Sequence, residues 1–251
     1  MASSPLLDTF KRGEVNRELK LLAAQGAVAP RAEEQLELLV MLSGDSDPEV
    51  AATAEQTLAA IQPQELARIL AGDVSPDVKA KFAAKGIQPV AGAPPGDAPL
   101  IDASPEVEEA PPDEAPQSAL TRIANMNIAR RIALAMKGTR EERAILIRDP
   151  NRIVTAAVLS SPKMSDVEVA AIAKMQNVSE DVLRTIANNR AWVKNYTVVL
   201  ACVKNPKTPV ALSMNLMARL SEKDLKLLST DRNVPDVLRT NARRKMVAGD
   251  K

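Results

Sequence analysis

Four similar phrases decide the fold: DPNRIVTAAVL at 149–159, NVSEDVLRTIA at 177–187, NPKTPVALSMN at 205–215 and NVPDVLRTNAR at 233–243. Each phrase starts 28 residues after the one before it. The N-terminal half has the same spacing in DPEVAATAEQTL at 47–58 and SPDVKAKFAAKG at 75–86. A fixed period of roughly 20 to 50 residues is typical of stacked repeat arrays. The spacing therefore predicts a repeat architecture.

One valine in each phrase recurs with the repeat and is predicted to be buried. These valines are Val50 and Val78 in the N-terminal half and Val154, Val182, Val210 and, after a one-residue deletion, Val237 in the C-terminal half. A position that recurs in every unit is expected to pack against the neighbouring unit.

Each phrase begins with residues that favour a helix N-terminus. In Asp47-Pro48-Glu49, the first carboxylate can accept a free backbone N–H, and proline is tolerated at the first helical position. Thr139 and Ser165 begin further helices of the capping-box type. Each unit is thus predicted to contain two helices of about 8–12 residues. The predicted fold class is all-α, an α-solenoid in two segments joined by a disordered linker.

The pattern resembles the HEAT-like α-solenoids and, with its short period and NPKTP-type turn, is especially similar to the leucine-rich repeat variant proteins. The resemblance covers about 45–87 and 120–246. It implies an extended concave surface that binds partners. Iron–sulfur-linked members of the variant class carry a cysteine cluster, whereas this chain has only Cys202. The resemblance therefore implies no redox role.

The chain divides into three segments of different charge. Residues 88–118 contain eight prolines, seven acids and no base, a composition typical of a solvated flexible linker. Residues 1–87 have 9 bases and 13 acids, whereas residues 119–251 have 24 bases and 12 acids. The predicted domains are an acidic helical-repeat domain, the linker and a basic helical-repeat domain. Such asymmetry suggests an acidic partner for the basic domain.

The residue inventory argues against an enzyme. The chain has no histidine, which excludes Ser-His-Asp and Cys-His catalytic systems and histidine-ligated zinc. A single cysteine excludes thiolate zinc sites and iron–sulfur clusters within one chain. Cys202 itself lies on an apolar helix face, and we expect it to be buried and structural. We therefore expect a non-enzymatic protein without metal or cofactor.

The same inventory predicts a location. The longest apolar runs fall short of the roughly 20 residues of a membrane span. The N-terminus has no basic region followed by an apolar stretch, so no secretory signal is evident. A lone cysteine fits a reducing compartment. We expect the protein to be cytoplasmic.

Residues 188–196 depart most from the repeat. Val193 stands where two other repeats place Ser165 and Ser221, and the only Trp and the only Tyr of the chain flank it. Arginine, tryptophan and tyrosine are enriched in interface hot spots. The candidate partner-binding residues are Asn189, Arg190, Trp192, Lys194 and Tyr196. The alternative is that Trp192 fills a gap between helices while the two bases are merely solvated.

A second set of candidates is basic. Equivalent helices of a solenoid line one face, so Arg152, Arg184, Lys207 and Arg239 are expected to form a stripe, with Arg243 in the last helix. Such a stripe can meet phosphates or an acidic protein surface, or it can be an ordinary solvated face. A further hypothesis is that linker acids mask this stripe at high effective concentration. The masking acids are Glu106, Glu108, Glu109, Asp113 and Glu114.

Two functions remain open at this point. The leading one is a scaffold or adaptor whose basic module binds a protein partner with an acidic surface. The alternative is a nucleic-acid-binding repeat protein that uses the basic face of 119–251. Residues 121–138 could also form a helix at a membrane surface, but capping of the first repeat is the favoured role for them.

Overall fold

The computed structural model describes residues 4–28, 31–90, 98–106 and 115–249. Within these ranges the chain forms sixteen α-helices and one 3-10 turn, and no β-strand occurs. The prediction of an all-α fold is therefore confirmed. Helix–helix packing suits this composition, because only 2% of the residues are aromatic and the cores are built from Ala, Leu, Val and Ile.

The chain forms two compact units, Met1–Lys163 and Met164–Lys251. The first unit contains α1 (Pro5–Lys11), α2 (Arg17–Ala24), α3 (Ala32–Leu42), α4 (Pro48–Ala60), α5 (Pro63–Leu70), α6 (Pro76–Ala84), α7 (Pro116–Ala124), α8 (Ile128–Lys137), α9 (Arg140–Leu146) and α10 (Arg152–Leu159). The second unit contains α11 (Asp166–Lys174), α12 (Glu180–Asn188), the 3-10 turn Trp192–Lys194, α13 (Tyr196–Lys204), α14 (Val210–Met217), α15 (Glu222–Thr230) and α16 (Asp236–Gly249).

In the first unit, the helix at the start of the sequence packs against the helix at its end. Helix α1 packs against α3 and α10, and α2 packs against α3 and α4. The Ser160 hydroxyl accepts the backbone N–H of Leu6 at 3.2 Å and lies 3.2 Å from the hydroxyl of Ser4. Helix α8 packs against α9 and α10. The fully buried residues of this core include Leu36, Leu39, Ile132, Leu134 and Val154.

The second unit is a sequence of helices in which alternate helices touch. Helix α11 packs against α13, α12 against α14, and α14 against α16. Consecutive helices also pack, most extensively α15 with α16. The inward side chains are aliphatic and include Val169, Ile172, Leu183, Ile186, Val199 and Leu238.

Local capping chemistry explains most of the helix starts. Thr139 and Glu142 form a complete capping box at α9. The Ser165 hydroxyl accepts the backbone N–H of Glu168 at 3.3 Å. Asp47 accepts the N–H of Glu49 at 2.9 Å and thereby begins α4. These predicted starts are confirmed, because each cap supplies an acceptor to one of the free N–H groups of a first turn.

The prediction that every recurring valine is buried is wrong at two positions. Val154 and Val182 are 0% and 2% exposed, whereas Val210 is 40% and Val237 is 55% exposed. In the last phrase Val234, Leu238 and Ala242 are buried, and Leu238 lies 28 positions after Val210. At α14 the chain buries Ser213 instead.

The compact units differ from the three segments predicted from the sequence. The first unit spans both sides of the predicted linker 88–118, because α1 packs on α10 and residues 101–104 contact α3 and α8. Residues 91–97 and 107–114 lie outside the described residues, so the predicted mobility of the linker stays a prediction there. The masking acids Glu108, Glu109, Asp113 and Glu114 belong to this part, and only Glu106 is described.

Candidate functional site

A short loop and turn between α12 and α13 holds the predicted hot-spot residues. The Asn189 side-chain oxygen accepts the backbone N–H groups of Ala191 at 3.0 Å and Trp192 at 3.3 Å, which fixes the chain into the 3-10 turn. Arg190 and Lys194 are exposed, and Trp192 is half-buried. Among the described residues neither base forms an ion pair. The structure thus brings the five predicted residues 189–196 together in the second unit.

Tyr196 has a structural role within this segment. Its hydroxyl donates to the carboxylate of Asp224 and accepts the backbone N–H of Ser221 at 3.0 Å. These contacts close the N-terminus of α15. The hydrogen bonds from Tyr196 and Ser221 hold the pKa of Asp224 below its ordinary value, and Lys204 and Lys223 add to the effect through their charges. The phenol hydroxyl is therefore engaged within the second unit, while Tyr196 as a whole is 42% exposed.

Replacing Tyr196 by phenylalanine is expected to lower the free energy of unfolding by about 0.5–1 kcal/mol, because the hydrogen bonds of the phenol to Ser221 and Asp224 are lost while the Ser221 cap of α15 remains. A depressed pKa stabilises the fold above the unfolded pKa of the carboxyl and stops doing so as pH falls through the folded value. The difference between variant and wild type should therefore shrink below about pH 4. Urea unfolding at neutral and acidic pH measures this. An equal difference at both pH values would contradict the role of Asp224.

The predicted basic stripe consists of residues with local partners. Each of the five contacts an acid or a backbone carbonyl close by in the chain or in its own unit. The contacts are Arg152 with Glu14 (3.5 Å), Arg184 with Glu180, Lys207 with the Val178 carbonyl (3.2 Å), Arg239 with Asp236 (2.7 Å) and Arg243 with the Ser229 carbonyl (3.1 Å). Arg152 belongs to the first unit and the others to the second. These contacts do not place the five basic residues on one face, so the basic stripe stays a prediction.

A cavity of about 320 Å³ lies between the C-terminal end of α11 and one face of α13. Its floor is apolar and its rim carries amide, hydroxyl and ammonium groups. The lining residues are Lys174, Gln176, Thr197, Leu200, Ala201, Lys204, Asn205 and Pro206. This volume is at the small end of the range of ligand sites, which begins at about 300 Å³.

Asn205 fixes the geometry of the cavity. Its side-chain amide donates to the carbonyls of Ala173 at 2.8 Å and Met175 at 2.9 Å, and its oxygen accepts the N–H of Lys207 at 3.0 Å. The side chain is only 4% exposed. It therefore ties the end of α13 to the end of α11 and leaves little of its own capacity for a ligand.

Two lysines supply the charge of the rim. Lys174 is the last residue of α11 and Lys204 the last of α13, so each lies nine positions after its N-cap, Ser165 or Asn195. Neither lysine donates a side-chain hydrogen bond or forms an ion pair within the described part of the chain. Lysine at a helix C-terminus also interacts favourably with the helix dipole. The cavity thus combines an apolar floor with two ammonium groups that can bind an anion.

The sequence contains a charge pattern that points to this site and that the spacing of the similar phrases does not show. The 40 positions from 182 to 221 contain no aspartate and no glutamate. They contain six bases: Arg184, Arg190, Lys194, Lys204, Lys207 and Arg219. The run covers most of α12, the 3-10 turn, α13 and α14. It joins the predicted residues 189–196 to the cavity, because Thr197 on the cavity rim follows Tyr196 directly.

Cys202 is fully buried in α13, and burial raises the pKa of its thiol to about 12, so the thiol is protonated and unreactive near neutral pH. The predicted burial of Cys202 is confirmed.

The described residues hold no group of three or more side chains suited to binding a metal ion. None of their helices is both long and apolar enough to cross a membrane.

No protein-family model matches the chain, and no curated protein or solved structure is significantly similar to it. The resemblance to HEAT-like and leucine-rich repeat variant proteins therefore rests on the spacing of the phrases and helices alone.

Proposed function

We propose that this protein is a non-enzymatic adaptor that binds an acidic protein surface through the basic face of its second unit. The observation that carries the proposal is a largely apolar cavity that is formed mainly by the acid-free run 182–221 and is lined by Lys174 and Lys204, which form no ion pair among the described residues. Lys174 and Lys204 can hold a carboxylate, while Leu200 and Ala201 accept an aliphatic neighbour. Arg190 and Lys194 extend the positive charge along the same segment.

We further propose that the helices form a short α-solenoid of the HEAT-like or leucine-rich repeat variant type. Helices α10, α12, α14 and α16 start at 152, 180, 210 and 236, which is 84 residues over three intervals and 28 on average. The contacts of α11 with α13 and of α12 with α14 are those that stacked two-helix units require. A cytoplasmic location, from the single cysteine, belongs to the same proposal.

The cavity favours a protein over a nucleic acid as the partner. Single-stranded nucleic acids bind on aromatic platforms, and none of the residues that line the cavity is aromatic. Phosphate contacts need bases but no apolar floor. A partner carboxylate can pair with the two lysines of the cavity, and an aliphatic side chain beside it can pack on the apolar lining residues. An acidic surface with exposed aliphatic residues is thus the better fit.

The test compares the full chain with its Lys174→Glu/Lys204→Glu variant. The probe is the labelled peptide Glu-Leu-Glu-Leu-Glu-Leu, followed by fluorescence anisotropy at about 150 mM salt. We expect the variant to bind at least about tenfold more weakly, because two attractive charges become repulsive. Lys226→Glu is the matched control, since this exposed lysine of α15 lies outside the run. It should change the affinity less than about twofold.

A random-sequence DNA duplex serves as the competing ligand in the same assay. Tighter binding to the duplex than to the peptide, with a steep fall in affinity as salt rises, would establish the nucleic-acid alternative instead. Equal peptide affinity in wild type and Lys174→Glu/Lys204→Glu would remove the cavity from the proposal.

A further inference from the structure

A buried glutamine in the first unit holds a distant segment of the chain. Gln35 of α3 is 0% exposed. Its amide nitrogen donates to the carbonyl of Ile101 at 2.6 Å, and its oxygen accepts the backbone N–H of the same residue at 2.9 Å. One side chain thus satisfies both polar groups of one residue, as a neighbouring β-strand would. Such a contact recognises the backbone of Ile101, which lies in a bend of the chain, independently of its side chain.

Gly26 leaves the space in which Ile101 lies. It ends α2 with φ +83°, a conformation that glycine adopts without strain. Its carbonyl accepts the second hydrogen bond that the amide nitrogen of Gln35 donates, at 3.1 Å. A Cβ at this position would lie 3.1 Å from the Cγ2 atom of Ile101. The absence of a side chain at Gly26 therefore allows the isoleucine to approach closely.

Lys137 contacts the residues that follow. At the end of α8 its ammonium group donates to the carboxylate of Asp102 at 2.6 Å and to the hydroxyl of Ser104 at 2.6 Å. Partial burial raises the pKa of Asp102, but the hydrogen bonds from Lys137 and Ser104 outweigh it and hold that pKa below its ordinary value. Together these contacts recognise an aliphatic residue (Ile101), the aspartate that follows it (Asp102) and a serine two positions further (Ser104).

We propose that Gly26, Gln35 and Lys137, here named the Gln35 groove, form a docking site for peptides with an aliphatic–Asp–x–Ser pattern that adopt the bent conformation of residues 100–104. Residues 98–106 of the chain itself, here named the cis segment, occupy the groove. A peptide from a partner protein takes the same position by displacing the cis segment. This site lies in the first unit and does not depend on the proposed function of the second.

The limited burial of the cis segment favours its exchange for another peptide. The cis segment is short, and its side chains Leu100 and Ile101 are only half-buried. The pair of Asp102 with Lys137 is also accessible, with 47% and 42% of the two side chains exposed. Exposed pairs contribute little to stability. The tether supplies a high effective concentration instead, and this is the barrier that a partner peptide must overcome.

The test uses the labelled peptide of residues 98–106, APLIDASPE, and the full chain carrying Ile101→Pro and Asp102→Lys. Proline removes the N–H that Gln35 accepts, and lysine repels Lys137, so the cis segment is released. We expect this released chain to bind the peptide at least about tenfold more tightly than wild type, whose groove is occupied at an effective concentration of the order of millimolar. Fluorescence anisotropy measures both affinities.

Two further variants in the released chain locate the site. Gln35→Ala should weaken peptide binding about tenfold, and Lys137→Glu about threefold. Lys11→Glu is the matched control, because it makes the same change of charge on an exposed residue of α1 that has no ion pair in the described ranges. Circular dichroism verifies that each variant is folded.

A modified peptide tests the backbone contact without changing the protein. Methylation of the amide nitrogen at the Ile101 position removes the donor to Gln35 and should abolish binding to the released chain. Unchanged binding of the methylated peptide overturns the proposal. So does a released chain that is folded and binds the unmodified peptide no better than wild type.

Discussion

Replacing Val182 by aspartate is expected to unfold the second unit, whereas the same change at Val210 should leave it folded. The two residues are 28 positions apart and would be equivalent in the proposed repeat, but Val182 is 2% and Val210 is 40% exposed. A carboxylate at a buried position without a partner costs several kcal/mol or forces its own protonation. We expect a loss of about 4 kcal/mol or more for Val182→Asp, and under about 1 kcal/mol for Val210→Asp.

The measurement is urea unfolding followed by tryptophan fluorescence. Trp192 is the only tryptophan and lies in the second unit, so its emission reports that unit alone. Val182→Ala and Val210→Ala form the matched control pair, since they remove volume without adding charge. Equal losses for the two aspartate variants would show that both valines are buried in solution, as the sequence predicted.

This pair also marks how far the sequence could predict the fold. Helix starts such as those at Thr139 and Ser165 depend on contacts within one turn, and the local sequence specifies them. The exposure of Val210 depends on which side of α14 meets its neighbours. Val210 begins α14 directly after Pro209, while Ser213 is fully buried one turn later. A period gives the position of a residue in the repeat but not the rotation of its helix.

The candidate functional residues also divide into those that the sequence could predict and those that only the structure shows. The break in the repeat led to residues 189–196, because unusual residues at a fixed position are visible in one sequence. The structure assigns Tyr196 a capping role that the sequence could not show, since Ser221 and Asp224 are 25 and 28 residues away. The contact of Gln35 with Ile101 spans 66 residues and lacks any local pattern. Lys204 belongs to the acid-free run 182–221, whereas nothing in the sequence singles out Lys174.

Replacing Asn205 by aspartate is expected to destabilise the second unit by about 3 kcal/mol near neutral pH, although the two side chains have almost the same size. The amide of Asn205 donates to two carbonyls at the end of α11, at 2.8 and 2.9 Å. A carboxylate cannot donate, and it would face both carbonyl oxygens in a site that is 4% exposed. Repulsion and desolvation therefore act in the same direction.

The loss should depend on pH with a definite sign. Burial raises the folded-state pKa of the introduced carboxyl above its unfolded value of about 3.9. The penalty is therefore fully present at pH values above the folded pKa and disappears as pH falls below the unfolded one, where the neutral acid can donate one hydrogen bond. Urea unfolding from pH 7 to pH 4, followed through Trp192, measures the recovery relative to wild type at each pH.

Asn177→Asp is the matched control for this prediction. Asn177 lies 28 residues earlier, at the same position of the repeat, but its side chain is exposed. We expect it to change the free energy of unfolding by less than about 0.5 kcal/mol at any of these pH values. If both variants lose the same stability, the link from Asn205 to the end of α11 is not what holds the cavity wall. If only Asn205→Asp loses stability and also weakens the acidic peptide, the same asparagine supports both the fold and the site, because Lys174 and Lys204 stand at the two helix ends that it joins.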